Sequence, residues 1–357
     1  MKKLLTALFF TVALLAGCNK GNSGLETINM VEHLSLDSVP VVLAEISESI
    51  RIIPLNTPDS LILGRLISVK QYNERIFVST SYGVYAFDNE GYYQNTIGTK
   101  GRGPGEYLYP AYIFPGDDGL WVVDDSRRII LHYSIEGIFK NSFSFSEFPG
   151  QSLASCFHMQ DKSSFIAFVP DMGQMNSDIM LSFFDSNQII DSVLYHNPVM
   201  NPGGIQIHLY DEAQFVDNNG KARFKHIFND TIYVVDNNRL IPEFVIDLGS
   251  RKPDKNAREF MSKDWSYSPF EKADRVDLLG VGDRYIYLKS NGRPYFFNKK
   301  RSTLECWHFT LPDDSRIAPS DLTGYVAQYI DNRNNLIGWV NPAEENDNPI
   351  VIVSKLK

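Results

Sequence analysis

The sequence predicts an all-β fold, a closed ring of six four-stranded sheets, on three observations. Between residues 45 and 250 no long segment carries helical periodicity; short apolar or alternating runs recur between Asn, Asp and Gly turns. These runs group into a degenerate repeat of six units. The last unit is one strand short, while one N-terminal strand has no unit of its own. Antiparallel four-stranded units repeated radially make a six-bladed β-propeller. Each blade has two apolar faces that its neighbours must cover, so the ring has to close or leave faces and edges exposed.

The first unit reads RIFVSTSYGVYAFDNEGYYQNTIG from Arg75, with LISVKQY (66–72) ahead of it. The second reads GLWVVDDSRRIILHYSIEGIFKNSFS from Gly119, after YIFP (112–115). Each is a strand, a polar turn, a strand, a turn on Glu-Gly, and a strand. Glu90-Gly91 and Glu136-Gly137 fall at matching places. The rhythm returns from Ser164, from Ala222 and from Arg284, and a last time from Asn335, behind YVAQYI (325–330). That final unit supplies only three strands. The orphan run Ser49–Leu55, SIRIIPL, is predicted to be its missing outer strand, and Pro54, with no amide to donate, suits an edge. Residues 250–274 break the rhythm as a charged insertion between the fourth and fifth units, with a short helix expected over 254–263.

The N-terminus predicts export. Lys2 and Lys3 precede an apolar run, Leu4 to Leu15, that is too short for an ordinary membrane span and suits a signal peptide. It ends in Leu15-Ala16-Gly17-Cys18, the pattern of a bacterial lipobox, in which the Cys18 thiol accepts the lipid. The expected layout is a signal peptide over 1–17, a lipidated Cys18 and tether over 18–44, and the propeller over 45–357, in the cell envelope and held to the membrane only through the lipid. Cys156 and Cys306 lie in different units and are expected as free thiols. The formal charge of −9 is scattered, with no basic stripe among aromatics, so nucleic acid is not an expected partner.

The segment TIGTKGRGPGEYLYP (96–110) is where the chain crosses from one blade to the next. That crossing spans about 15 Å and must bend twice over the strand ends. Gly101, Gly103, Pro104 and Gly105 meet that need, and no Gly-Lys-Ser/Thr follows to make a phosphate loop. Arg102, Glu106 and Tyr107 are then expected near the channel mouth, either as a packed Arg–Glu pair over a Tyr or as a rim that meets a ligand. The same face receives Tyr82, Asp125, Arg127, Arg128, Asp171, Gln174 and Arg293. It also receives Trp265, Tyr267 and Phe270 of the insertion, whose aromatics either stack on a sugar or pack the insertion down.

The lipobox, the strand Ile53–Leu55 and the loop Gly101–Tyr107 occur in that order. Together they resemble the six-bladed β-propeller lipoproteins of Bacteroidetes, which look distantly like NHL-repeat propellers. The resemblance covers nearly all the chain from about residue 45, and its most specific part is the loop. It implies a fold and an envelope location and carries over no catalytic residue.

Chemistry is harder to find. One layer of the channel is expected to hold Gln71, Phe114, His158, Phe215, Gly280 and Tyr329, which is mostly not a ligand set; His208 falls toward the opposite mouth. His132, His226 and His308 are expected as packed or surface residues. No G-x-S-x-G elbow appears, and Cys306 and His308 share a strand face without being placed for proton transfer. No cofactor, metal or catalytic residue is expected. The leading function is a binding lipoprotein that engages a glycan, a peptide or an envelope protein at the channel mouth. The alternatives are a propeller enzyme, such as a polysaccharide lyase or lactonase, and a scaffold of an envelope complex.

Overall fold

The computed structural model describes residues 25–145, 154–161, 163–170, 178–196, 209, 211–264, 266–311, 325–341 and 348–357. Six sheets each hold four antiparallel strands, in sequence order from the channel outward in blades 1 to 5. Blade 1 comprises Leu66–Tyr72, Arg75–Thr80, Val84–Asp88 and Tyr93–Ile97, and blade 2 begins at Pro110–Gly116. In blade 6 the inner strands are Val326–Ile330, Asn335–Val340 and Ile350–Leu356, and the outermost is Ser47–Pro54 from the other end of the chain. Its ladder sets Ile52 opposite Ile352 and Ile53 opposite Val351, so the ring is closed in the way the strand count required.

Six apolar clusters hold the ring, one at each seam between blades. The seam of blades 6 and 1 buries Ile53, Val69, Phe87, Trp339 and Val351. The seam of blades 2 and 3 is aromatic, with Trp121, Phe157, Phe165 and Phe184 within one cluster. Fully burying one such side chain is worth about 1.5–3 kcal/mol. The high Phe and Tyr content is therefore spent at the seams, where flat sheets need large side chains between them. The matched Glu-Gly turns have a common cause. Gly91 and Gly137 adopt φ of +90° and +85°. A Cβ at either would lie 2.2–2.3 Å from a carbonyl oxygen of the preceding blade's outer strand, Pro54 or Thr96.

The stretch expected as a tether over 18–44 differs from that expectation from residue 25 onward. Glu26–Asn29 pairs in parallel with the outer strand of blade 4, Arg239–Asp247. Val39–Val42 does the same on blade 5, against Thr303–Thr310. Two rim edges are thereby covered. The physical reason is apolar burial: Ile28, Met30 and Leu43 sink into the adjoining cores. Arg293, expected on the crossing-loop face, donates to the carbonyls of Leu34 and Leu36 and holds this strap. Residues 1–24, including Cys18, lie outside the described part.

Candidate functional site

The crossing-loop mouth is internally satisfied. Thr99–Lys100 pairs with Glu106–Tyr107, and Gly101 donates to the Tyr107 carbonyl at 2.9 Å. Tyr107, expected as a ligand contact, is fully buried. Its hydroxyl donates to the Ile97 carbonyl at 2.8 Å and accepts from the Val84 amide at 2.9 Å. Burial raises its pKa. The reason for its position is that the third and fourth strands of blade 1 end there on two backbone groups that need a partner, the Val84 amide and the Ile97 carbonyl. The Glu106 carboxylate turns back to the Gly103 amide at 2.7 Å. Arg127 donates to the carbonyls of Glu106 and Gly103. Beneath them the fully buried Asp124 accepts from the amides of Leu108, Tyr109 and Arg127 at 2.6, 3.3 and 3.1 Å. This loop is a clamp.

Other residues expected on this face also turn inward on the fold. Asp125 pairs with Arg128 at 2.7 Å, and Arg128 also donates to the Ala154 carbonyl. Tyr82 lies beside Gly64, half exposed. Arg102 is exposed. The insertion contains the expected helix, Ala257–Lys263, and is packed down. Tyr267 meets Phe260 edge to face at 5.5 Å, and Phe270 stacks on Phe228 at 5.6 Å. Arg258 pairs with the buried Glu212, which also faces His226 at 3.3 Å. Trp265, Asp171, Gln174 and His208 lie outside the described residues.

The opposite mouth, formed by the turns that follow the inner strands, is different. Both Tyr72–Arg75 and Gly116–Gly119 close two-residue turns, so the blade 1 equivalent of Phe114 is Lys70; Gln71 lies one step further. Lys70 is half-buried, and the protein around it lowers its pKa through burial, opposed by the charges of Asp331 and Asp217. Among the described residues its ammonium has no ion pair; it sits 4.6 Å from the centre of the Tyr329 ring. Across the channel, His158 stacks on Phe215 at 5.9 Å. Its Nε2 is 3.9 Å from Asp217 Oδ2, too far for a hydrogen bond. Burial, and then the Lys70 charge, push the His158 imidazole down to about 4. Burial raises the pKa of Asp217, and its Oδ1 is buried without a partner.

Blades 1, 3, 4 and 6 thus send Lys70, His158, Asp217 and Tyr329 to one end of the channel. This brings an amine, an imidazole and a carboxylate together with His158 and Asp217 beyond hydrogen-bond distance of one another, a set of donors and acceptors that a polar ligand can meet. Gly280 of the expected layer is not a lining residue, since a Cβ there would lie 2.6 Å from Ile330. Among the described residues no three His, Cys, Asp or Glu side chains converge as for a metal ion. Cys306 is buried and Cys156 half-buried; both are free, and burial pushes Cys156 up to about 12. Sequence reasoning missed Lys70 through a one-residue slip in blade 1; the signal was the shared two-residue turn.

Comparison with known proteins adds the following. The model of a domain of unknown function, DUF4934, matches residues 25–355. No curated protein matches the chain. A supposed exported protein of Bacteroides fragilis NCTC 9343 has a similar structure, with a TM-score of 0.66 at 16% identity, over 93% of this chain and 99% of its own. A DUF4221 family member from Bacteroides vulgatus gives 0.44 at 12% identity, over 87% and 97%. The first likeness speaks for the fold alone, the same six-bladed ring. Since the family model begins at the first described residue, the rim strap included, and runs through the closing blade, the protein belongs to the DUF4934 family.

Proposed function

We propose that the protein is an exported, lipid-anchored binding propeller, akin to the NHL-like lipoproteins, that seats a glycan or peptide at the turn end of its channel. The observation that carries this reading is the group Lys70, His158 and Asp217, which faces the channel with no ion pair on Lys70 among the described residues, His158 beyond hydrogen-bond reach of Asp217, and Asp217 Oδ1 buried without a partner. Structural ion pairs in this protein look otherwise, as Arg223 with Glu243 at 2.8 Å illustrates. Export is supported by the signal-like N-terminus and by the name of the B. fragilis protein of similar fold.

The test is binding of arrayed neutral oligosaccharides and short peptides to the chain from residue 19 onward. Lys70→Met is expected to weaken the strongest binder about tenfold or more, the scale of one lost charged hydrogen bond. Binding unchanged in that variant, or turnover of a substrate by the wild type with no stable binder, overturns the reading. The anchor has a separate test: Cys18→Ser should abolish labelling by an alkyne fatty acid and move the protein out of the membrane fraction.

A further inference from the structure

The closing sheet carries a second polar feature, set apart from the channel. Alternation along a strand sends every second residue to one face. In blade 6 the odd-numbered residues Ile53, Leu55, Ile337, Trp339, Val351 and Val353 bury that face against blade 1. Toward the turn end the same face changes character and presents Ser49, Arg51, Asn335 and Lys355. Arg333, from the turn before Asn335, and Gln71 and Asn89 of blade 1 complete a cleft of about 340 Å³. That volume is the size of a small-molecule site.

The charges in the cleft are not balanced by their neighbours. Arg51 donates to the Asn89 carbonyl at 3.3 Å and Lys355 to the Arg333 carbonyl; both bonds go to backbone oxygens. The Arg333 guanidinium lies 5.8 Å from the Tyr72 ring centre. Among the described residues none of the three makes an ion pair with a carboxylate. Two acids are near. Glu90 acts on Arg51 at longer range, where burial has the larger effect and lowers the arginine's pKa. Asp331 is engaged by the amides of Arg333 and Asn335 and by the Asn335 side chain at 3.0 Å. Gln71 and Asn89 are joined by one hydrogen bond of 3.1 Å, which leaves further amide donors and acceptors.

We infer that the cleft between blades 6 and 1 is a binding site for a small hydroxylated ligand bearing an oxyanion, the charge held by Arg51, Arg333 and Lys355 and the hydroxyls by the amides of Gln71 and Asn89. Two guanidinium groups give the forked donors that match planar or tetrahedral oxyanions. Three cations brought together with no carboxylate paired to any of them repel one another, and a bound anion relieves that repulsion. The carboxylate, sulfate and phosphate esters of a sugar share this chemistry and differ in charge and shape.

The experiment is calorimetric titration of the chain from residue 19 onward with glucuronate, galactose 6-sulfate, glucose 6-phosphate and, as the uncharged control, glucose. At least one anionic sugar is expected to bind at least tenfold more tightly than glucose, and the three arms identify the group. Arg333→Gln, at an exposed position, and Lys355→Gln are each expected to weaken that binding about tenfold with the thermal midpoint of the free protein unchanged. Lys70→Met should leave it intact, which separates this site from the channel. Anionic sugars binding no better than glucose, or binding equally well to both variants, overturns the assignment.

Discussion

The two mouths of the ring are built from the same blades and end in opposite electrostatic conditions. At the crossing-loop mouth, Asp124, Glu106, Arg127 and Tyr107 find backbone partners within the fold. At the turn mouth, Lys70 and His158 do not, Asp217 keeps one buried oxygen without a partner, and Arg51, Arg333 and Lys355 have only carbonyls or an aromatic face. The difference teaches where polar residues are structural. The crossing loop must span two blades and exposes amides as it does so, and buried amides demand acceptors. The turns at the other mouth are short reversals closed by their own backbone and by turn acids such as Asp331, so Lys70 and His158 beside them have no such duty.

This contrast can be broken by mutation. Asp124→Ala leaves three amides without an acceptor and is expected to cost about 3–5 kcal/mol in chemical denaturation. A cost under 1 kcal/mol would mean that the clamp does not hold the loop mouth. His158 comes next and is read through pH. Its folded pKa of about 4 lies below the ordinary 6.5, so its neutral form stabilises the fold above 6.5, and that contribution is lost as pH falls from 6.5 toward 4. The loss amounts to about 3 kcal/mol. His158→Phe should flatten the stability profile across that window, and a profile parallel to wild type would place the imidazole in water. Tyr107→Phe removes the acceptor of the Val84 amide and is expected to cost about 1–2 kcal/mol while leaving ligand binding at the turn mouth unchanged. The smallest effect is at Arg102, exposed on the loop: Arg102→Ala should stay within about 0.5 kcal/mol of wild type.

Most of the ring was legible. Alternation, Asn and Gly turns and the Glu-Gly pairs are local signals, and closure followed from counting strands at the two ends. The rim strap was not legible, because ETIN and VPVV are four-residue strands whose pairing depends on edges that exist only once blades 4 and 5 are formed. The loop residues were placed on the correct segment, but whether Tyr107 faced a ligand or the core depended on orphaned amides that no sequence pattern reveals. The turn-mouth charges were passed over for another reason. Arg51 lies within an N-terminal strand, Arg333 in a turn and Lys355 near the last residues of the sequence, and each alone reads as a solvated cation. Only the strand register makes them neighbours.

The sheet that seals the ring has a temporal consequence. Ser47 bonds Ser354 across 307 positions of sequence, so the first long strand to be synthesised waits for nearly the last. Loop-closure entropy grows only logarithmically with such a span, by about 0.6 kcal/mol per doubling, so waiting adds little to the equilibrium cost but much to the time. A chain interrupted before Ile350 has no partner for Ser47–Pro54 and leaves Ile53 uncovered. Completion of the polypeptide is thereby tested by the architecture itself: a prematurely ended copy stays open, adhesive and visible to proteases.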